Sequence, residues 1–355
     1  MIVYLQAPGH DYTHAELVHL VGRSAHIRQL SGKTRPGNLD LSLRSHLTTD
    51  VQVRHYDWAL SRRSLPPATY IFTDRERMDD WQLRVYSALF RHINTLGPGY
   101  RAINDPAKMC DRVALLRRLY RQNLNAFNVY RPDELTDQVR YPVFVRRAFD
   151  HAQPVSGLIA SRAELDHVLE GLWAGGEPES GIIVTEFHGE PVNAETGLFR
   201  KLSAYRVGDA VFFFNTGHEK NWAVKYGELG AGRDEHYAEE RHFIETDAFC
   251  DFLREVFEIA GIEYGRVDFG LVGGTPAVYE INTNPHLSLQ EADHPSAIRL
   301  ENMRLGRIKY LAALSALDRQ RKRQKKASSS RFSHPYLRTL WVRGLGTFYR
   351  GIGRP

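Results

Sequence analysis

The sequence predicts a mixed α/β fold of two or three domains. Short apolar runs rich in β-branched residues are interspersed with longer stretches whose apolar residues recur every three or four positions, which is typical of strands mixed with helices. A chain of 355 residues is long enough to form several substantial cores. We divide it into an α/β domain over residues 1–104, a larger domain over 105–318 and a tail over 319–355.

Residues 1–104 fit a small α/β domain. Trp81, Val85, Leu89 and Ile93 follow each other in steps of four, which places them on one face of a helix. This region contains no Gly-x-Gly-x-x-Gly sequence, so no dinucleotide site is predicted. The predicted elements are strands at 2–6, 51–56 and 69–73 and helices at 14–21 and 79–96.

The composition predicts a soluble cytoplasmic enzyme. Hydrophobic residues make up 42% of the chain and charged residues 25%, and no run of about 18 apolar residues predicts a membrane span. The short apolar run after Met1 has no basic segment before it, which favours a first strand over a signal peptide. Cys110 and Cys250 are far apart, so neither a disulfide framework nor a zinc site is predicted.

The tail is strongly basic. Eleven Lys and Arg and no acid follow Asp318, so the net charge of +5 belongs to the tail, and residues 1–318 are acidic. Aromatic residues such as Trp341 and Phe348 are interleaved with arginines. Three interpretations remain open: docking on the body or on a second subunit, contact with an anionic membrane surface, or binding of nucleic acid or another acidic partner.

Residues 266–285 predict a β-hairpin. Two apolar runs, 267–272 and 277–281, flank a Gly-Gly-Thr loop at 273–275. If the loop is centred on Gly274, Asp268 faces Glu280 and Arg266 faces Asn282.

This register gathers metal-binding oxygens on one face. Glu280 and Asn282 are two residues apart and therefore share a side of their strand with the opposed Asp268. Carboxylate and amide oxygens suit Mg²⁺. If the same side chains merely faced water, two like charges would stand opposite each other at a cost in stability. We therefore expect Asp268, Glu280 and Asn282 to form a metal site.

Arg266-Val-Asp-Phe-Gly followed by Val278-Tyr-Glu-Ile-Asn-Thr-Asn-Pro resembles the C-terminal metal-binding signature of the ATP-grasp superfamily, which includes glutathione synthetase, D-alanine–D-alanine ligase and glutamate ligases. The resemblance implies that these three residues bind Mg²⁺, with Mn²⁺ as the alternative, on the phosphates of ATP. It extends over roughly 100–315 and implies an ATP-grasp fold with an N-terminal α/β pre-ATP-grasp domain. ATP would lie between two subdomains divided near residue 185.

The resemblance also implies phosphate contacts from basic residues. Arg112 follows Asp111 in a helix that Asp105 and Pro106 are expected to start. Arg146 or Arg147 ends the strand 141–147, where the family has a Lys. A guanidinium can hold a phosphate with two hydrogen bonds, whereas the alternatives are a solvated arginine or a surface ion pair. The loop 148–157 holds one glycine where the family has a glycine-rich lid.

The nucleotide pocket is expected at the end of strand 181–188. Thr185, Glu186 and Phe187 are the adenine-pocket candidates by resemblance, and the alternative for Glu186 is an exposed carboxylate at a strand end. A second hairpin, 199–214, carries Lys201 and Arg206 on opposite faces, so one of the two is expected to reach the phosphates.

The resemblance implies an ATP- and Mg²⁺-dependent ligase that joins a carboxylate to an amine through an acyl phosphate. Lys225, in the polar glycine-bearing stretch 217–232, joins Arg206 and Arg266 as a candidate catalytic residue. The expected partners are ATP, a carboxylate substrate, an amine acceptor and a second copy of the chain. Two alternatives remain: a phosphotransferase on the same fold, and a noncatalytic nucleotide-binding protein.

Overall fold

The structure, a computed structural model, describes residues 1–7, 14–21, 38–150, 152–321 and 332. Three β-sheets and eight α-helices lie within these residues, which confirms the mixed α/β class. None of the helices in this part of the chain is long and apolar enough to cross a membrane.

The N-terminal domain is built on a parallel four-stranded sheet in the order β2-β1-β3-β4. β1 is buried along its whole length, as expected of a parallel sheet covered on both faces. The side chain of Asp79 accepts a hydrogen bond from the backbone of Gln82 and fixes the start of α3. The elements are β1 (Ile2–Gln6), α1 (Ala15–Val21), β2 (Val51–His55), α2 (Tyr56–Ser61), β3 (Thr69–Phe72), α3 (Asp80–Thr95) and β4 (Arg101–Ile103).

A three-stranded antiparallel sheet, β5-β7-β6, follows. Helix α4, which precedes this sheet in the chain, starts after Asp111, whose Oδ1 accepts a hydrogen bond from the Ala114 amide at 2.7 Å. The predicted start of this helix at Asp105 is therefore wrong. Asp105 closes only one turn, because the Cys110 amide is drawn to the carbonyl of Ala260 at 2.8 Å. The elements are α4 (Arg112–Arg121), β5 (Val129–Tyr130), β6 (Val143–Arg147), α5 (Arg162–Ala174) and β7 (Ile182–Glu186).

A second antiparallel sheet has the order β11-β10-β8-β9. Residues 234–260 form two separate helices, because Asp247 and Phe249 between them adopt positive φ angles of 50° and 65°. Lys309 holds Asp247 there through a 2.7 Å ion pair. The elements are β8 (Phe199–Val207), β9 (Ala210–Glu219), α6 (Asp234–Thr246), α7 (Cys250–Ala260), β10 (Tyr264–Val272), β11 (Thr275–Asn282) and α8 (Ala297–Gln320).

The hairpin β10–β11 has the predicted pairs for a different reason than expected. Its loop is the two-residue turn Gly273-Gly274, with φ angles of 56° and 78° that suit glycine. From this turn alone Asp268 would face Tyr279. A bulge at Tyr279 shifts the register by one, so that Asp268 faces Glu280 and Arg266 faces Asn282.

An aromatic cluster joins the N-terminal domain to the second sheet. The Nε2 of His14 lies 2.8 Å from the hydroxyl of Tyr264, which lies 2.8 Å from that of Tyr310. The hydroxyl of Tyr310 is 3.0 Å from that of Tyr4, whose ring stacks on His14 with centroids 3.8 Å apart. All four residues are buried, so the cluster packs β1 of the parallel sheet against β10 and α8.

The interpretations of the tail fall almost wholly outside the described residues. Residues 319–321, at the end of α8, and Phe332 are the exceptions, and the ring of Phe332 is buried in the core of the N-terminal domain, 5.5 Å from the ring of His92.

Candidate functional site

A cleft lies between the two antiparallel sheets. Strands β6 and β7 line one side, while β8, β10, β11 and the loop after β9 line the other. Of the residues predicted from sequence, the cleft is lined by Arg146, Thr185, Glu186, Phe187, Lys201, Lys225, Asp268 and Glu280.

One end of the cleft is aromatic. The ring of Trp222 lies 4.9 Å from that of Phe144 and meets the ring of Phe187 edge-on at 5.5 Å. Phe127 and Tyr279 form another wall, with ring centroids 6.2 Å apart. Flat apolar walls of this kind suit a planar ring system.

The other end of the cleft is charged. Asp268 accepts two hydrogen bonds from Arg266, at 2.8 and 3.0 Å, and its Oδ2 is 3.5 Å from the Nζ of Lys201. Glu280 is paired with Arg112 and, at 3.4 Å, with Arg146. Four cationic side chains therefore contact two carboxylates, and this end of the cleft favours a polyanion.

Arg146 is poised to bind an anion. Burial, and then the neighbouring Arg112, lower the pKa of Arg146 to about 10, which leaves the guanidinium charged at neutral pH. Its Nε is buried and donates no hydrogen bond to the protein. The side chain of Arg146 lines the cleft, so its positive charge acts on an anion placed there.

Arg112 and Arg266 each hold one of the two carboxylates: Arg112 contacts Glu280, and Arg266 contacts Asp268. Arg112 is buried and donates to the carbonyls of Arg147 and Ala148, both at 3.1 Å, as well as to Glu280. It thereby ties the end of β6 to β11, and the solvated alternative for Arg112 is wrong. Burial lowers the pKa of Arg266, but the charge and hydrogen bonds of Asp268, together with Tyr205 and Glu280, raise it above its usual value.

Glu186 lies at the cleft edge, but its carboxylate is taken up by hydrogen bonds to neighbouring segments of the protein. It is 2% exposed, so the alternative of an exposed carboxylate is wrong. It accepts from the amides of Asn128 and Arg140 at 2.9 and 3.0 Å, from the hydroxyl of Tyr130 at 3.0 Å and from the Arg140 guanidinium. Although burial raises the pKa of Glu186, these donors bring it below its usual value.

Thr185 and Phe187 flank Glu186 with different surroundings. The hydroxyl of Thr185 is buried without a hydrogen-bond partner and belongs to a residue that lines the cleft. The ring of Phe187 packs on Trp222.

Lys201 of β8 contacts Lys225, which lies in the loop that follows β9. The Nζ of Lys201 donates to the carbonyl of Lys225 at 2.8 Å. Glu219, at the end of β9, accepts three amide hydrogen bonds through its Oε1: from Lys225 at 2.9 Å, Tyr226 at 2.8 Å and Gly227 at 2.7 Å. These contacts fold the loop back over the cleft.

Arg206 lies outside the cleft and is not brought to the site. Its Nε donates to the carbonyl of Gly208 at 3.0 Å, beside the turn that joins β8 to β9. It sits on the face of β8 opposite to Lys201, as the alternation predicts. The structure therefore does not place Arg206 at the cleft, and the proposal below gives it no role there.

The two carboxylates and Asn282 are the available oxygens for a cation. The Oδ1 of Asn282 already accepts from the amide of Asn284 at 2.8 Å. The described part of the chain holds no cluster of three or more His, Cys, Asp or Glu suited to a metal. The set fits a hard cation that brings further oxygen ligands with it, because two carboxylates and an amide alone leave its coordination incomplete.

Sequence reasoning missed the aromatic walls. Phe144 lies between two buried valines, which is typical of a buried run, but alternation along β6 turns it toward the cleft. Trp222 is a large aromatic residue in a polar stretch, which was the available signal. The predicted regular pairing placed Tyr279 on the face opposite to Glu280, whereas the bulge lets both residues line the cleft.

No family model and no curated protein matches this chain. A solved D-alanine–D-alanine ligase from Bacillus anthracis, complexed with ATP, is 12% identical with a TM-score of 0.47, covering 92% of this chain and 99% of that one. A RimK domain ATP-grasp protein from Sphaerobacter thermophilus is 13% identical with a TM-score of 0.45, covering 89% and 99%.

Proposed function

We propose that the chain is an ATP- and Mg²⁺-dependent ligase that joins a carboxylate to an amine through an acyl phosphate. The observation that carries the proposal is the division of one cleft into an aromatic end and a cationic end with two carboxylates. ATP with a bound divalent cation has matching parts: a flat purine for the aromatic end, and a triphosphate with its cation for the charged end.

Each group has a role in this proposal. Asp268 and Glu280, with Asn282, would hold Mg²⁺, which supplies charge neutralisation when bound. Arg146, Lys201 and Lys225 would bind the phosphates, and Arg112 and Arg266 would position the two carboxylates. The terminal phosphoryl group of ATP passes to a substrate carboxylate, and an amine then displaces phosphate.

Calorimetric titration with ATP, with and without Mg²⁺, tests the site. We expect Mg²⁺-dependent binding that Glu280→Gln or Arg146→Ala weakens roughly tenfold to a hundredfold, because each removes a charge-assisted contact. Glu170→Gln, on the exposed face of α5, is the matched control and is expected to bind like the wild type. Absence of ATP binding to the wild type at any Mg²⁺ concentration would overturn the proposal.

Hydroxylamine tests the chemistry. An acyl phosphate formed from a carboxylate is trapped as a hydroxamate, with release of ADP and phosphate. A panel of amino acids, peptides and small carboxylic acids should contain substrates that give this product. A stable phosphate ester in its place would identify a phosphotransferase.

A further inference from the structure

We propose that Trp222 is the residue that contacts the nucleotide base and closes the aromatic end of the cleft, and that Glu219 positions it. This inference rests on the proposed function. It adds that the aromatic end of the cleft binds the base of the nucleotide. It concerns the loop that joins β9 to α6.

Trp222 bridges the cleft from one sheet to the other. Its loop leaves β9, yet its indole packs on Phe144 of β6 and on Phe187, which follows β7. Because both contacts are made with the opposite sheet, the indole forms a wall across the opening. Ala223 and Val224 continue the same wall.

A second cavity lies on the other side of this wall. It shares Phe187, Phe199 and Trp222 with the cleft and is otherwise lined by residues such as Leu158 and Glu228. Removal of the indole would join the two spaces. The size of the aromatic end therefore depends on Trp222.

Glu219 holds the loop in this position. Its Oε1 accepts from three consecutive amides, those of Lys225, Tyr226 and Gly227, and Gly227 has a φ of 85° that suits glycine. Three amides converging on one carboxylate oxygen make a concave anion site in the backbone. The same turn brings the carbonyl of Lys225 to the Nζ of Lys201, so the aromatic wall and the charged end are linked.

The test compares two ligands, Mg·ATP and Mg·tripolyphosphate, because only the first has a base. We expect Trp222→Ala to weaken ATP binding about tenfold or more and to leave tripolyphosphate binding unchanged. Trp222→Phe, which keeps a smaller aromatic ring, should lie between. Leu229→Ala, at a side chain 71% exposed in the same segment, is the control and should change neither affinity.

The outcomes separate this inference from the function. If the wild type binds ATP but Trp222→Ala weakens both ligands equally, or neither, the role of Trp222 is overturned and the function stands. A wild type that binds neither ligand overturns both. Thermal unfolding by circular dichroism confirms that each variant is folded.

The role of Glu219 has a separate readout. Glu219→Gln keeps the length of the side chain and removes its charge. We expect it to shift tryptophan emission to longer wavelength as the indole leaves Phe144 and Phe187, and to lower the affinity for ATP more than that for tripolyphosphate. The shift should be absent when Trp222→Phe is added. An unchanged emission and an unchanged ratio of affinities would overturn the positioning role.

Discussion

Glu186 and Glu280 are carboxylates at the same cleft, but their neighbours give them different tasks. Glu186 is enclosed by backbone amides, a tyrosine hydroxyl and Arg140, which occupy both of its oxygens. Glu280 is contacted by two arginines that lie on other elements and lines the cleft. The first holds β7 against the neighbouring backbone, and the second faces the open cleft.

Glu186→Gln tests this division. We expect the variant to lose about 2 kcal/mol of unfolding free energy, because an amide cannot serve the same set of donors and the Arg140 partner loses its counter-charge. Chemical denaturation measures the change, with the exposed Glu170→Gln as the control. Unchanged stability combined with lost ATP binding would show instead that Glu186 is a nucleotide contact.

Single residues also show what the sequence reveals about a site. Asp268 joins Glu280 on one face only through the bulge, but the shared face of Glu280 and Asn282 was predictable, because residues two apart point to the same side of a strand. The burial of Arg112 was not, because it depends on the carbonyls of Arg147 and Ala148, which are about 35 residues away in the chain. Contacts between distant segments leave no local pattern to detect.

At the scale of elements, the bulge in β11 decides the composition of the cleft. Two consecutive residues, Tyr279 and Glu280, both line the cleft, whereas in a regular strand they would point to opposite faces. Asn125 supports the strand beside the bulge by exchanging hydrogen bonds of 2.8 and 2.9 Å with the backbone of Val278. Gly270, on the paired strand, leaves room for the ring of Tyr279.

Gly270→Ala tests the bulge. A Cβ at this position would lie 2.1 Å from the hydroxyl oxygen of Tyr279 and 2.9 Å from its Cζ, so the ring must move. We expect a loss of about 1–3 kcal/mol in stability and weaker ATP binding. Adding Tyr279→Phe should recover part of the stability, since the closest atom is removed. Strictly additive effects in the double variant would contradict the contact.

The hairpin also shows how a correct prediction can have an incorrect premise. The expected loop was centred on Gly274, whereas the actual turn is centred between Gly273 and Gly274. The bulge then restores the expected pairs. Nothing in the local sequence announces the bulge, because it depends on Asn125 and Gly270 lying on other segments.

At the scale of the molecule, the buried histidine at the domain boundary makes stability depend on pH. Burial lowers the pKa of His14 to about 3, and the rings that face it, Tyr4 and Tyr264, carry no charge to offset this. The unfolded chain therefore binds a proton near pH 6.5 that the folded chain binds only near pH 3. The contribution of His14 to the free energy of unfolding is therefore fully present above pH 6.5 and is lost as the pH is lowered.

We expect His14 to contribute a loss of about 1.4 kcal/mol for each pH unit below 6.5. Burial also lowers the pKa of His218 to about 3, which adds a loss of the same sign. His14→Gln should reduce the slope measured by urea unfolding between pH 6.5 and 5, while His167→Gln, an exposed site on α5, should not. An equal slope in all three proteins would contradict the assignment.

The positions of individual strands were more predictable than the way the sheets meet. Alternating apolar runs located β1, β8 and β9 to within a few residues. The joint between His14, Tyr264 and Tyr310 could not be predicted, because these residues lie on separate segments with no shared motif. The ring of Phe332, buried in the N-terminal domain, is a contact of the same kind.

The four cations around Asp268 and Glu280 also bear on how ligands enter. A free divalent cation that approaches this end of the cleft is repelled, because the two carboxylates are already outnumbered. A triphosphate is attracted and brings enough negative charge to make room for the cation. For the proposed function we therefore expect metal and nucleotide to bind with positive cooperativity, each raising the affinity for the other by the same factor, so that the cleft selects the complex of the two.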